Sequence, residues 1–493
     1  MMYLDNDLES IQEARQNLER AKIAQNAISN MTQDQVDQVV HSMAQAAMRE
    51  AGRLAALAVD ETGYGKMEDK MTKNLFSAKD VFESIKGKKT VGVISRDDEK
   101  KVWEVAEPVG VIAGIIPSTN PTSTVIYKAL IAIKSRNAIV FSPHPSAAKC
   151  TKETVSVLHE AAKRAGAPDG VISCITKPTL ASAQELMNHK ITDLILATGG
   201  PGMVKASYSS GKPAYGVGPG NVPVYIHSSA NVQKAARQVV HSKTFDYGTI
   251  CASEQSLVVE KSIKRKLKRE LEREGAYFLD DYEKKRMEQI ILRNGSLNPD
   301  LVGKSPQMLA KIAGITVSDD TRLFVAEETN VGKSFPFSLE KLSPILAFYT
   351  VENDEEANRI CAELLELGGL GHTVGIHCED EKIIESFGVK QKASRVVVNS
   401  GTTFGGIGAT TGIAPSLTLG CGTLGNNISS DNIGPEHLIN KKRIAFGIRE
   451  MKNEVPTRDV RSTENVSSNE ENNITKADIM EIVKNVLKEL NYK

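Results

Sequence analysis

The chain has 493 residues, too many for one hydrophobic core and enough for two or three domains of ordinary size. Lys plus Arg and Asp plus Glu balance at 61 each, so no overall field draws the chain to nucleic acid or an anionic membrane, and a polyanionic ligand must be held by a local site. The start, MMYLDNDLESIQEARQ, lacks an apolar signal-type stretch, no window approaches the roughly 18 uncharged apolar residues of a membrane span, and six scattered cysteines without a CxxC pair argue against a disulfide framework or a zinc knuckle; a soluble, cytoplasmic, multidomain enzyme without a metal is the expectation.

From Asp5 to about Lys86 apolar residues recur at three- and four-residue spacing, as in Val36, Val39, Val40, Met43 and Ala47, which predicts helices covering one side of a sheet. From about Trp103 the texture changes to short apolar runs bounded by Gly, Pro and Asn: Val109 to Pro117, Asn137 to Pro143, Gly170 to Ile175 and Asp193 to Gly200. With helices over Val125 to Lys134 and Lys152 to Ala165 between them, these read as buried parallel strands in βαβ units. A second α/β region follows, with strands Ser256 to Glu260, Ile345 to Val351, Thr373 to Cys378 and Ser394 to Asn399 and a helix over Lys261 to Gly275; Cys251 falls near the junction of the two lobes. After about Glu454 the composition turns polar and reads as a linker over 456–473. Beyond it Ile479, Ile482, Val483, Val486, Leu487 and Leu490 share one helical stripe, opened by a capping box of Thr475 and Asp478.

Two glycine-rich turns follow strands, TGGPGM (Thr198 to Met203) and GVGPGN (Gly216 to Asn221). Such turns let backbone amides or a helix N-terminus approach a pyrophosphate, although neither is a full GxGxxG and a plain tight turn is as good a reading. Cys251 lies in FDYGTICASEQ, where Gly248 and small neighbours leave room for an accessible thiol; for a cysteine taken alone, a buried structural role is the commoner outcome.

Seven segments in order change that balance: EPVGVIAGIIPSTNPTST (from Glu107), RNAIVFSPHP (from Arg136), LATGGPGMVKA (from Leu196), the Cys251 segment, EKLSPILA (from Glu340), GGLGHT (from Gly368), and APSLTLGCGT through GPEHLINKK (Ala414 to Lys442). Together they closely resemble the acylating branch of the aldehyde dehydrogenase superfamily. The resemblance implies an α/β aldehyde dehydrogenase fold: a Rossmann-like NAD-binding domain over 1–225 with a helical N-terminus, a catalytic domain over 226–413, a return to the cofactor and oligomerisation region over 414–455, the linker, and over 474–493 an amphipathic helix similar to encapsulation peptides of bacterial microcompartments. A helix of about 16 residues wants a surface for its apolar stripe, and docking on the oligomer is the competing reading.

By the same resemblance Cys251 is the nucleophile, Asn120 contributes an oxyanion-hole amide, and Glu340 holds the nicotinamide ribose. Thr198, Gly199, Gly200 and Gly202 pass the cofactor pyrophosphate, with Pro117 and Gly218 beside them. Ser142, His144 and Pro145 stand where hydrolytic relatives present a lysine to the adenosine ribose, a departure that leaves the choice between NAD and NADP open, with NAD favoured. Where those relatives carry a glutamate general base this chain has Gly216, so the acyl-enzyme should wait for the thiol of coenzyme A rather than for activated water. His372, with an ordinary pKa near 6.5, is a candidate acceptor for the proton of Cys251 or CoA. The implied reaction is reversible oxidation of a short aldehyde, acetaldehyde or propionaldehyde, with NAD and CoA to acyl-CoA and NADH, in a homodimer or homotetramer, with microcompartment shell proteins as candidate partners. Sulfoacetaldehyde is an alternative substrate, and a catalytically vestigial assembly protein the alternative from another class.

Overall fold

The computed structural model describes residues 5–451 and 475–490; the expected linker over 456–473 lies outside the described residues. Residues up to Ala445 form one unit and those from Phe446 another.

The N-terminal region is helical, as its periodicity predicts, with long helices at Asn6–Ile28 and Gln33–Thr62 and a shorter one at Met67–Leu75. Gln33–Thr62 opens on a capping box between Thr32 and Gln35 and stops at Gly63 in the left-handed conformation. Its stripe of Val36, Val39, Val40, Met43 and Ala47 is fully buried.

Five parallel strands follow in the spatial order Ile172–Cys174, Ala138–Pro143, Val111–Ile116, Leu194–Thr198, Ala214–Val217. Helices cover the sheet, which is why Val111–Ile116 is buried at all six positions and reads as an unbroken apolar run rather than an alternating one. The chain enters at the middle strand and builds outward on both sides, so the order reverses between Val111–Ile116 and Leu194–Thr198. In open α/β sheets the crevice beyond the carboxyl ends of two such strands is where ligands sit.

A seven-stranded parallel sheet forms the second lobe, ordered Ala276–Phe278, Leu323–Glu328, Ile345–Val351, Glu254–Glu260, Val222–Ile226, Gly371–His377, Ala393–Val398. A third, antiparallel sheet joins Gly92–Asp97 and Val102–Pro108 to Ile439–Ala445. Its strands are half-exposed and thick with charge, so they lack the apolar runs that mark the buried ones.

Among the described residues no helix is long and apolar enough to cross a membrane. In the C-terminal unit Lys476–Leu490 is a helix whose first turn is fixed by Asp478 Oδ2 accepting from the Thr475 N–H at 2.8 Å. Ile479, Ile482, Val483, Val486 and Leu487 on its apolar stripe are each about half exposed.

Candidate active site

Cys251 is delivered by a strained turn. The helix Val232–Thr244 ends in a short turn at Phe245–Gly248, where Asp246 and Tyr247 take φ of 47° and 52°; the left-handed region costs an L-residue roughly 1–2 kcal/mol, and such strain gathers at functional sites. The Asp246 carboxylate, fully buried, holds the turn. It accepts from the Lys66 N–H (2.8 Å), Lys70 Nζ (3.0 Å), Thr249 Oγ1 (2.7 Å) and Lys73 Nζ. Burial alone would raise its pKa, but Lys73 and Lys70 outweigh burial and hold it below the usual carboxylate value. Burial pushes the Lys73 ammonium down to about 8, against the pull of Asp246.

Asn120 ends the loop after Val111–Ile116 and is the N-cap of the buried helix Pro121–Lys134, yet its side chain makes no capping bond. An asparagine in that place normally caps, worth about 1 kcal/mol. Here Nδ2 instead donates to the carbonyl of Thr249 at 3.2 Å, two residues before Cys251, and to Thr119 Oγ1 at 3.0 Å, while Oδ1 accepts from Lys73 Nζ at 2.5 Å.

Five further residues surround Cys251: Gly220, His372, Glu340, Cys421 and Arg395. At Gly220 a side-chain carbon would stand 2.2 Å from the carbonyl oxygen of Cys251 and 3.2 Å from Cγ of His372, so only glycine lets these backbones meet. The Gly220 N–H donates to Glu340 Oε1 at 3.0 Å, and burial pushes the Glu340 carboxyl up to about 7 against that bond and the nearby Lys243 and Lys341. The Cys251 thiol is pushed up to about 12, first by burial, then by Glu340 and Cys421, with Arg395 opposing; at rest it is protonated.

His372 is fully buried at the start of Gly371–His377. Arg395 Nε donates to Thr373 Oγ1 at 3.2 Å, and the same hydroxyl lies within hydrogen-bond distance of the imidazole Nδ1, at 3.0 Å. Nε2 is buried with no partner among the described residues. Burial, reinforced by Arg395, pushes the ring down to about 3, so the imidazole is neutral and one of its nitrogens carries no hydrogen.

At Gly216 the Tyr208 ring would lie 3.0 Å and Val204 3.2 Å from an added side-chain carbon, and the Gly216 N–H donates to the Tyr208 hydroxyl at 3.0 Å. An aromatic ring thus fills the space where a hydrolytic general base would need to extend.

Of the residues expected at the cofactor, Pro117, Ser142 and Thr198 gather at the carboxyl ends of three adjacent strands, Gly218 follows the next strand, Ala214–Val217, and Glu340 lies outside this sheet. Pro117 follows Val111–Ile116, Ser142 lies buried near the end of Ala138–Pro143, and Thr198 closes Leu194–Thr198. Gly199 and Gly200 turn into the helix Pro201–Ser209, whose N-terminus has no side-chain cap. A carbon added at Gly200 or Gly202 meets nothing within 4 Å, one at Gly218 only Val204 at 3.9 Å, and Thr198 Oγ1 is buried without a partner. Open space before uncapped helix amides, beside an orphaned hydroxyl, fits a dinucleotide pyrophosphate. His144 Nδ1 bonds the Ser146 hydroxyl at 2.8 Å and Pro145 opens a short 3₁₀ turn, so both lie on the rim.

Sequence reasoning missed Lys70, Lys73, Asp246, Thr373 and Arg395. It also missed the convergence of His227, Glu260 and Asp354 in the catalytic lobe, where the Tyr225 hydroxyl lies 2.6 Å from each carboxylate and the Ser229 N–H donates to His227 Nδ1 at 3.1 Å.

A parallel-sheet lobe with a dinucleotide-type cradle, joined to a second that presents a cysteine beside an asparagine amide, defines a cysteine-dependent dehydrogenase class. The chain belongs to the aldehyde dehydrogenase family, matched over residues 7–276. It is 45% identical over 433 residues, 87% of its length, to the bifunctional aldehyde-alcohol dehydrogenase AdhE of Escherichia coli strain K12, but covers 49% of that protein; the chain spans about half the length of the first curated relatives it matches. Among solved structures it is similar to an acetylating aldehyde dehydrogenase from Geobacillus thermoglucosidasius, at 65% identity and TM-score 0.90, over 91% of this chain and 100% of that one. It is also similar to a propionaldehyde dehydrogenase from the fucose utilisation bacterial microcompartment of Clostridium phytofermentans, at 28% identity and TM-score 0.80, over 88% and 97%.

Proposed function

We propose that the chain is a coenzyme-A-acylating aldehyde dehydrogenase: aldehyde, NAD and CoA give acyl-CoA, NADH and a proton, reversibly. The single observation that carries the acylating reading is Gly216, where Tyr208 occupies the place of a general base. Cys251 Sγ adds to the aldehyde carbonyl, its proton passing to water as the carbon–sulfur bond forms, and Asn120 Nδ2 exchanges its bond to Thr119 Oγ1 for one to the resulting oxyanion, a contribution of about 3–4 kcal/mol in comparable sites. The nicotinamide, when bound, supplies a hydride acceptor. Glu340 is suited to the ribose hydroxyls, and the turn from Thr198 to Gly202, with Pro117 and Gly218, to the pyrophosphate; Ser142, His144 and Pro145 line the adenosine end, with NAD favoured over NADP. The acyl group is then a thioester on Cys251, which no carboxylate-activated water attacks. The CoA sulfur displaces Cys251 Sγ, the CoA thiol proton passing to the departing sulfur with His372 as its carrier.

Two lobes divide the work, a cofactor domain over 1–225 and a catalytic domain over 226–413, with 414–455 returning to the first and to an oligomer contact in a dimer or tetramer. Acetaldehyde or propionaldehyde is the proposed substrate. The exposed stripe of Lys476–Leu490 supports an encapsulation role inside a microcompartment: deleting 475–493 should abolish co-purification with shell proteins and leave turnover intact. The activity itself is tested by CoA-dependent NADH formation from either aldehyde, lost in Cys251→Ala; activity retained in that variant, or acid released at the same rate without CoA, would refute the assignment.

A further inference from the structure

We infer that Lys73 is a positioning residue that fixes which end of the Asn120 amide faces Cys251. The inference rests on the oxyanion role proposed above for Asn120.

The two ends of a side-chain amide are nearly the same size and differ only in what they can bond. An Asn in an oxyanion site therefore works in one of two orientations and obstructs in the other, where a carbonyl oxygen would meet the developing negative charge. Asn120 is poorly held by its own helix, because its side chain forgoes the N-cap bond that would fix it. A group that can only donate must lie on its oxygen side.

Lys73 is that group. Its ammonium has no acceptor capacity, it is 3% exposed, and its donors are committed in three directions: Asn120 Oδ1 at 2.5 Å, Thr249 Oγ1 at 3.0 Å and Asp246 Oδ2. An amide turned by half a revolution would set its NH₂ against the ammonium with no bond between them. The Thr249 carbonyl, which can only accept, supports the same orientation by taking a hydrogen from Nδ2 at 3.2 Å. The cluster has a second function through Asp246, since one carboxylate anchors both the strained turn that presents Cys251 and the lysine that orients Asn120. The nucleophile and the oxyanion donor are thus registered against one buried ion pair.

Lys73 can be replaced without leaving Asp246 stranded, because Lys70 Nζ, the Lys66 N–H and Thr249 remain its partners. Lys73→Met keeps an unbranched apolar stem and removes the donor; Lys73→Gln restores an N–H donor without charge. The test compares these two with Asn120→Ala and with the double variant Lys73→Met/Asn120→Ala, measuring kcat, KM for aldehyde and the rate of Cys251 alkylation. Asn120→Ala should lose about 100- to 1000-fold in kcat. Lys73→Met should lose about 10-fold or more, Lys73→Gln should recover part of it, and the double variant should be no slower than Asn120→Ala alone, with alkylation of Cys251 unchanged throughout. Losses that multiply in the double variant, or a Lys73→Met enzyme as fast as the parent beside a crippled Asn120→Ala, would overturn the role of Lys73 while leaving that of Asn120 standing. An Asn120→Ala enzyme with full kcat would overturn both.

Discussion

The hydroxyl of Thr373 lies 3.0 Å from Nδ1 of His372 and takes a hydrogen bond from Arg395 Nε on its other side. The hydroxyl bridges guanidinium and imidazole, and so fixes the plane of a buried ring and the direction in which its unpartnered Nε2 points. Thr373→Val should therefore slow acyl transfer to CoA by about 10-fold, while the first turnover of NADH without CoA keeps its rate. Thr373→Ser should restore transfer. Burst kinetics separate the two half-reactions, and equal slowing of both would remove the proposed role.

Gly216 makes a second test. Gly216→Glu places a carboxylate where hydrolytic relatives have one, but its β-carbon runs into Tyr208 and Val204, at a cost of about 1–3 kcal/mol for an overpacked site. The variant should melt at lower temperature and gain no hydrolysis. Paired with Tyr208→Ala, which vacates the ring, it should release acid from the acyl-enzyme without CoA.

The thiol of Cys251 is pushed up to about 12, so its thiolate is scarce at rest. Alkylation of this residue by iodoacetamide, followed on the peptide by mass spectrometry, should rise about tenfold per pH unit between about pH 7 and 10 without levelling off. A plateau near neutral pH would show a thiolate already formed in the free protein.

Acid should weaken the fold in a definite window. His372 and His377 are buried and lowered to about 3 and about 4, whereas an unfolded histidine titrates near 6.5. The unfolded chain therefore binds protons first, and stability falls as pH drops from about 6.5 toward 3. Asp246, held below the carboxylate value, adds stability above about pH 4 that is lost as pH falls further. Denaturant midpoints across that range should decline, and His377→Gln should flatten the upper part of the slope.

What the sequence made legible follows from how each residue is buried. The central strands Val111–Ile116 and Ile345–Val351 are covered on both faces and read as continuous apolar runs. The strand Gly92–Asp97 and its partners are half-solvated and charged, and give no such run. Cys251, Asn120 and Glu340 were singled out through resemblance, because each sits in a distinctive segment. Lys70 and Lys73 were not, since two lysines three apart in a helical stretch have the pattern of a solvated face; their burial depends on Asp246, more than 170 residues away in the chain. The surroundings of His372 were equally hidden, because they come from Thr373 and from Arg395 on the adjoining strand.

The most direct measurement is the mass of residue 251 and the identity of the product in a single experiment. Protein mixed with propionaldehyde and NAD, then quenched, should carry a propionyl thioester on Cys251 that persists without CoA and leaves as propionyl-CoA once CoA is added. An unmodified Cys251, or propionate released at the same rate whether or not CoA is present, would contradict the account.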